Sequence, residues 1–259
     1  MDYHVHTEAS PDAKGSMEEF VKKAKKANIN EIGFSDHILL SHVSGYPCMP
    51  VHLMPAYVQK FLKTKENSEL PIKLGVEIDF IPSDVEKIRE FIQKYPFDYV
   101  IGAVHFIGNW AVDYPPQIHE YSKRDILQIY KEYFSIIKKL CACGLFDVLA
   151  HPDLIKIFGF KPKSDFSNIL IETAETMAKS NICAEINTSG LRRLCSEIYP
   201  SKQFLKIIHN YDIPIVFGSD AHEPNNVGKN FKEAIKLAKK AGYTSACMFD
   251  NRKKTSVRI

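Results

Sequence analysis

No apolar run in this chain approaches the roughly 18 residues needed to cross a bilayer, so no membrane-spanning helix is expected. No Cys-x-x-Cys pair occurs either. The six cysteines (Cys48, Cys141, Cys143, Cys183, Cys195, Cys247) are scattered, several of them in apolar runs. That argues against a disulfide framework and against a thiolate zinc site, and for a reducing, cytoplasmic setting. Charge of one sign is also missing. With 34 basic and 31 acidic residues the formal net charge is +3, and the lysines fall mainly in helix-like stretches such as Lys22–Lys26 and Lys236–Lys240. These read as solvated helix faces rather than a nucleic-acid surface. His4 and His6 already belong to the first predicted strand, so no secretory leader is expected. No stretch reads as a linker. Residues 1–259 are therefore taken as one domain, a length at which α/β barrels run undivided.

What the sequence does have is alternation. Short β-branched or aromatic runs near 2–6, 31–36, 73–80, 98–104, 147–150, 183–187 and 213–218, with a further one at 245–249, read as strands. Helical patterns lie between them, near 16–27, 55–66, 83–94, 122–143, 167–179, 201–209 and 229–241. Ser16 with Glu19 and Ser83 with Glu86 are spaced as capping boxes. Strand–helix repetition of this kind calls for a parallel sheet with crossover helices, either an open doubly wound sheet or a closed barrel. The polar residues favour the barrel. Predicted strands run out into His4 and His6, Asp36 and His37, Glu77, His105, His151, Asn187, and Asp220 with His222, at intervals of about one βα unit. A closed barrel gathers such strand ends at one mouth.

Six of the ten histidines stand at these strand ends, accompanied by Asp12, Glu77 and Asp220. His4 and His6 are alternate residues of a strand, so their side chains share a face, about 7 Å apart at the backbone. Burying so many imidazoles and carboxylates without a counter-charge would cost several kcal/mol each, and divalent cations remove that cost. The mixture suits zinc, manganese or iron better than magnesium or calcium. Nine candidate ligands (His4, His6, Asp12, His37, Glu77, His105, His151, Asp220, His222) exceed what one ion takes, so two or three ions with a bridging carboxylate are expected. Clusters of this kind activate a bridging water and clamp a transferring phosphoryl group. Anion-binding candidates follow the sixth strand in Asn187-Thr188-Ser189-Gly190-Leu191-Arg192-Arg193, with Lys156 as a second phosphate contact.

Taken together, His4-Val5-His6-Thr7, Ser35-Asp36-His37, Glu77, His105, His151-Pro152 and Ser219-Asp220-Ala221-His222 resemble the polymerase-and-histidinol-phosphatase (PHP) metallohydrolases, from residue 2 to about 222. The resemblance implies a distorted TIM-like (β/α)7 barrel with a trinuclear site. It implies one metal on His4, His6, Glu77 and Asp220, a second on Glu77, His105 and His151, and a third on Asp12, His37 and His222. Asp12 stands where many members have histidine, and Asp36 is expected to orient its neighbours rather than bind metal.

Gly102-Ala103-Val104-His105-Phe106-Ile107, His151-Pro152-Asp153-Leu154-Ile155-Lys156, Glu185 through Arg192 and Glu197-Ile198-Tyr199-Pro200-Ser201 resemble the histidinol-phosphate phosphatase branch. Two positions depart from it: Pro152, where that branch often has another residue, and Lys156, where arginine is common.

The activity so implied is removal of phosphate from L-histidinol phosphate, a small-molecule monoester of histidine biosynthesis. Arg192, helped by Lys156, is expected to hold the phosphoryl oxygens, and Asp220, His222 or a metal-bound water to protonate the leaving alkoxide. Asp113, Glu197 and Asp153 are the expected acceptors for the substrate's ammonium and imidazole. The alternative is a PHP-type phosphoesterase or nuclease acting on nucleotides or single-stranded nucleic acid. Near-balanced charge and the lack of a basic, aromatic-interleaved stripe speak against it. A non-catalytic regulatory domain, such as those attached to polymerases, is disfavoured by the full ligand set. His42 and His52 fall in a loop near the mouth, His119 and His209 match no spacing, Trp110 and Tyr114 either wall the pocket or pack a loop, and the oligomeric state is left open.

Overall fold

The computed structural model describes residues 1–41 and 45–259, so His42 lies outside the described residues. The helices are α1 (Met17–Lys26), α2 (Met54–Glu66), α3 (Val85–Gln93), α4 (Ile126–Ala142), α5 (Ser167–Ser180), α6 (Lys202–Asn210) and α7 (Phe231–Ala241). In α1 the apolar residues Met17, Phe20, Val21 and Ala24 recur at helical spacing and are buried. Its start is the expected capping box, in which Ser16 Oγ accepts from the Glu19 N–H and the Glu19 carboxylate accepts from the Ser16 N–H. No such box forms at Ser83. The chain enters α3 through a 3-10 turn, Pro82–Asp84, so Ser83 is already inside the turn and Asp84 is the cap. Likewise α4 starts at Ile126 rather than near 122, because Asp125 accepts from the Gln128 N–H and a separate 3-10 segment, Pro115–Lys123, precedes it.

The strands are β1 (Ile32–Phe34), β2 (His37–Ile38), β3 (Ile72–Leu74), β4 (Glu77–Asp79), β5 (Ile101–Ala103), β6 (Phe106–Ile107), β7 (Trp110–Ala111), β8 (Val148–Leu149), β9 (Cys183–Asn187), β10 (Ile215–Gly218), β11 (Ser245–Asp250) and β12 (Lys253–Arg258). Six run parallel in the order β2-β4-β5-β8-β9-β10, and β1 pairs with β3 just before β2 and β4. Each of those two runs, expected as one strand, is interrupted. Beside the interruptions the Tyr99 ring lies so close that a Cβ on Gly33 or Gly75 would fall 2.2 Å from it, and only glycine leaves that room.

The expected first strand is not a regular one. Residues 2–6 make isolated bridges, Asp2 to Ile32 and Val5 to Ala221. Their hydrogen bonds nevertheless alternate between the two sheet edges. Gly33 and Ser35 N–H groups donate to the Asp2 and Val5 carbonyls on one side; Tyr3 and His6 donate to Phe217 and Ala221 on the other. The N-terminal segment thus joins β1 to the β10 edge as the seventh member of a barrel-like ring. Inside it pack Tyr3, Tyr99, Ile101, Val148, Cys183 and Val216, against which β11 lays Cys247 and Phe249. The strand expected at 245–249 is therefore one arm of an antiparallel hairpin with β12, outside the parallel set. No helix among the described residues is long and apolar enough to cross a membrane, and all six cysteines are free.

Candidate metal centre

The chemistry-bearing residues sit where the parallel strands end. Glu77 opens β4 in register with His37 of β2; His105 follows β5, His151 follows β8, and Asp220 and His222 follow β10. Two of them stand on left-handed backbone, His151 with φ 22° and Asp220 with φ 52°. Such conformations persist only where the surroundings hold them. Here the His151 N–H donates to Glu185 Oε2 at 2.8 Å, and Arg192 donates to the carbonyls of Ser219 at 2.7 Å and Asp220 at 3.3 Å.

Glu77 is the hub. Its Oε2 lies 3.2 Å from His4 Nε2, 3.6 Å from His6 Nε2 and 2.7 Å from His37 Nδ1. Its Oε1 lies 3.1 Å from His151 Nε2 and 4.0 Å from His105 Nε2. Asp220 Oδ1 lies 3.3 Å from His6 Nε2, 3.8 Å from His4 Nε2 and 3.5 Å from His222 Nδ1. Asp12 Oδ2 lies 3.4 Å from His222 Nε2 and 4.0 Å from His37 Nε2. The fold brings all nine candidate ligands to one place. Donor atoms of four overlapping triplets, among them His4–His6–Glu77 and His37–Glu77–His105, lie within 4.8 Å of one another.

The donor set fits divalent cations on a direct observation. His4 Nε2, both nitrogens of His6, His37 Nδ1, His151 Nδ1 and Glu77 Oε2 are buried without a hydrogen-bond partner among the described residues. His37 Nδ1 approaches Glu77 Oε2 but is out of hydrogen-bond alignment with it. Unpartnered buried polar atoms are costly. Gathered around two carboxylates, they are what cations would satisfy.

Charge coupling within the cluster is strong. Burial alone would drive His4 towards its neutral form, but Glu185, Glu77 and Asp220 outweigh it and hold its pKa well above the usual imidazole value. Burial likewise disfavours the ionised forms of Glu77 and Asp220, yet the surrounding imidazoles hold both well below the carboxylate range. His37 is raised to about 9, burial being overcome by Glu77, and His105 to about 10, burial being overcome by Asp79. His6, buried beside His37 and His222, is pushed well below its ordinary value. Asp12 falls to about 2, its hydrogen bond to His222 outweighing burial.

A cavity of about 230 Å³ opens over the cluster, with Asp12, His37, His105, His151, Asp220 and His222 on one side and Tyr46, Asp113, Tyr114, Leu154, Ile157 and Arg193 on the others. A larger hollow of about 450 Å³, between the start of β10 and the β11–β12 hairpin, holds none of the cluster. Asp113 is among the residues that line the smaller cavity, with its carboxylate accepting from the Tyr46 hydroxyl at 3.1 Å. Lys156 and Glu197 are not. Lys156 is 2% exposed; its ammonium donates to Asp153 at 3.0 Å and the Ile198 carbonyl at 2.9 Å, and is ion-paired with Glu197 at 3.1 Å. With Asp153 and Glu197 it lines a separate cavity between α4, α5 and α6. A buried ammonium held by two carboxylates and a carbonyl is turned inward, not towards a phosphate at the mouth.

Of the two arginines, Arg192 is tied to backbone carbonyls at the rim. Arg193 reaches the cavity with a guanidinium that makes no hydrogen bond among the described residues. Asp36 accepts from the Thr7 N–H at 2.7 Å and the Thr7 hydroxyl at 3.0 Å, fixing the turn after His6. Trp110 packs on Tyr121, His209 on Tyr243, and His52 and His119 are exposed away from the cavity.

Two buried carboxylates escape a reading based on strand ends: Asp79, 2.6 Å from His105 Nδ1, and Glu185, 2.6 Å from His4 Nδ1. Each lies two residues from a candidate on the same strand, Asp79 from Glu77 and Glu185 from Asn187. Period-two alternation was the available signal.

The PHP domain family model matches residues 2–189. A protein of Deinococcus radiodurans described as a probable histidinol-phosphatase is 30% identical over 245 residues, 93% of this chain and 93% of that one. The histidinol-phosphatase of Bacillus subtilis is 25% identical over 254 residues, 88% of this chain and 95% of that one. The crystal structure of histidinol phosphate phosphatase from Lactococcus lactis, complexed with zinc, L-histidinol and phosphate, matches with a TM-score of 0.86 and 24% identity, covering 98% of each chain.

Proposed function

The chain belongs to the PHP domain family, and from that premise we propose that its mouth removes phosphate from L-histidinol phosphate, the substrate class named in its relatives. The observation that carries this is the convergence of nine imidazole and carboxylate side chains, with unpartnered nitrogens and oxygens between them, under a cavity that also holds a free guanidinium and a carboxylate. Two or three divalent transition-metal ions (zinc, manganese or iron) would be held by His4, His6, Glu77 and Asp220, by Glu77, His105 and His151, and by Asp12, His37 and His222. Bound there, such ions activate water and neutralise charge on a transferring phosphoryl group.

The protein's own groups divide the remaining work. Arg193 faces the cavity with no donor engaged among the described residues and is suited to bidentate contact with phosphoryl oxygens. Arg192 braces the Ser219 and Asp220 carbonyls and so holds Asp220 in its left-handed turn. Asp220, kept ionised by its imidazole neighbours, is removed as a proton donor. With two ions bound and the place at Asp12, His37 and His222 empty, His222, the most exposed imidazole of the cluster, would pass a proton from a ring nitrogen to the leaving alkoxide. On the cavity wall near His105, Asp113, steadied by Tyr46, would accept from the substrate's ammonium or imidazole, with apolar Leu154 and Ile157 lining the same cavity. Six unpaired cysteines agree with a cytoplasmic setting.

The test is release of inorganic phosphate from L-histidinol phosphate by the purified, metal-loaded protein, measured beside p-nitrophenyl phosphate and a short single-stranded oligonucleotide. Fastest turnover of histidinol phosphate is expected. Rapid hydrolysis of the oligonucleotide with none of histidinol phosphate would overturn the reading.

A further inference from the structure

Glu185 and Asp79 face the imidazoles from behind, where no substrate reaches. Glu185 is 1% exposed, and its two oxygens serve three partners: Oε1 lies 2.6 Å from His4 Nδ1, while Oε2 accepts from the His151 N–H at 2.8 Å and the Asn187 side chain at 3.0 Å. One carboxylate thus ties the N-terminal segment, the turn after β8 and the end of β9. Through Asn187, whose amide is 3.3 Å from Asp220 Oδ2, it reaches the end of β10 as well. The fold reserves its place, because a Cβ on Gly218 would lie 1.9 Å from Glu185 Oε1 and 2.6 Å from the His4 Cβ. Asp79 does the same for one partner, lying 2.6 Å from His105 Nδ1 with both groups buried.

A carboxylate can only accept, so each Nδ1 carries the proton. In the neutral ring that a cation requires, Nε2 is then left bare, and in both rings it is Nε2 that faces Glu77. Among the described residues Asp12, His37 and His222 have no such backing. His37 turns both nitrogens towards the cluster, the contacts of His222 Nδ1 among those residues are to Asp220, and the Asp12 and His222 side chains are 32% and 20% exposed.

We propose that Glu185 and Asp79 are positioning residues that make the cation places unequal. They set the tautomer and orientation of His4 and His105, so that a cation held by those rings stays bound while the one held by Asp12, His37 and His222 exchanges first. The inference rests on the metal reading above and extends it to a difference among the ions. Partners that hold a ligating imidazole from behind are worth about 10–100-fold in metal affinity. Glu185→Gln keeps the side chain's size, but its amide oxygen is still claimed by His151 and Asn187. Its NH2 therefore turns to His4 and forces the proton onto Nε2. At Asp79 an amide could still turn its oxygen to His105, because Oδ2 has no partner among the described residues, so Asp79→Leu, which can accept nothing, removes that single contact.

The experiment counts cations per chain by elemental analysis after dialysis of the holoprotein against a graded chelator series. Histidine tautomers are read by nitrogen NMR, and thermal unfolding is followed with and without metal. The wild type should lose one cation at low chelator, and Asp12→Asn should lose that same cation without chelator. In Glu185→Gln and Asp79→Leu a further cation should loosen by about 10–100-fold, with His4 changing tautomer or His105 losing its fixed one while metal-free unfolding stays cooperative. If Glu185→Gln fails to fold, Asp79→Leu, with one contact at stake, carries the test. Release of every cation in one step, or wild-type affinity and tautomers in both variants, would overturn the proposal. A wild type that binds no cation would instead remove the metal reading beneath it, and neither result depends on which phosphate ester is the substrate.

Discussion

Arg192 and Arg193 are adjacent in sequence, yet the structure gives them different work, and the difference has a size. Arg192 donates to the carbonyls of Ser219 at 2.7 Å and Asp220 at 3.3 Å from a half-buried position. One of these bonds is well formed and one is long. Charge-assisted bonds contribute about 1.5–3 kcal/mol each, and partial exposure lets water replace part of that, so Arg192→Ala should cost about 2 kcal/mol of stability. In a chain of this length that lowers Tm by roughly 4–8 °C. Because the released carbonyl belongs to Asp220, kcat should fall as well, with KM moving little.

Arg193 is exposed and makes no side-chain hydrogen bond among the described residues, so Arg193→Ala should change stability by less than about 0.5 kcal/mol. It removes the guanidinium that faces the cavity, however. Loss of one charge-assisted contact should lower kcat/KM for histidinol phosphate by about 10–100-fold and weaken inhibition by inorganic phosphate to match. Thermal melts and steady-state kinetics on both variants decide the matter. If Arg193→Ala left kcat/KM and phosphate inhibition untouched while Arg192→Ala weakened phosphate binding at constant Tm, the assignment of the two residues would be refuted.

Three further outcomes are expected. His37 and His105 are raised to about 9 and about 10 in the metal-free protein, so their contribution to stability is complete below pH 6.5 and lost as pH rises through those values. Tm in the presence of chelator should therefore fall between pH 6.5 and 10, while added zinc, which takes neutral imidazoles, should widen the gap between the two forms with rising pH; a metal-free Tm that is flat or rising over that window would contradict the charge coupling. Tyr99→Phe removes the hydroxyl that donates to the Tyr3 carbonyl at 2.7 Å in a fully buried place, and should cost about 1–2 kcal/mol in denaturant titration. Deleting residues 1–6 removes two candidate ligands together with the segment that joins β1 to the β10 edge, so both metal content and cooperative unfolding should be lost; a truncated protein that kept activity would refute the role given to that segment.

Much of the architecture was legible because it rests on local pattern. Helical spacing of apolar residues marked α1 to α7 to within a few residues, and ligand-type side chains recurring once per βα unit marked the strand ends. The errors fell where a local signal competed with its surroundings. Ser83 and Glu86 have the spacing of a capping box, but the turn at Pro82 begins one step earlier. Residues 2–6 have the composition of a strand, but each neighbour is bridged at a single position, Asp2 to Ile32 and Val5 to Ala221, so no continuous ladder forms.

The sequence by itself determined which imidazoles and carboxylates gather at the strand ends, because a strand end in a parallel barrel can point to only one mouth. Tertiary structure alone decided what each charged group is paired with, and that is settled by residues far away in the chain. Lys156 carries the right charge for phosphate, but Asp153, Glu197 and Ile198 already surround it. Glu185 looks like one more strand residue until the fold brings His4, 181 positions away, to 2.6 Å from its carboxylate. Charge type is written in the residue; its partner, and so its burial and proton, comes only with packing.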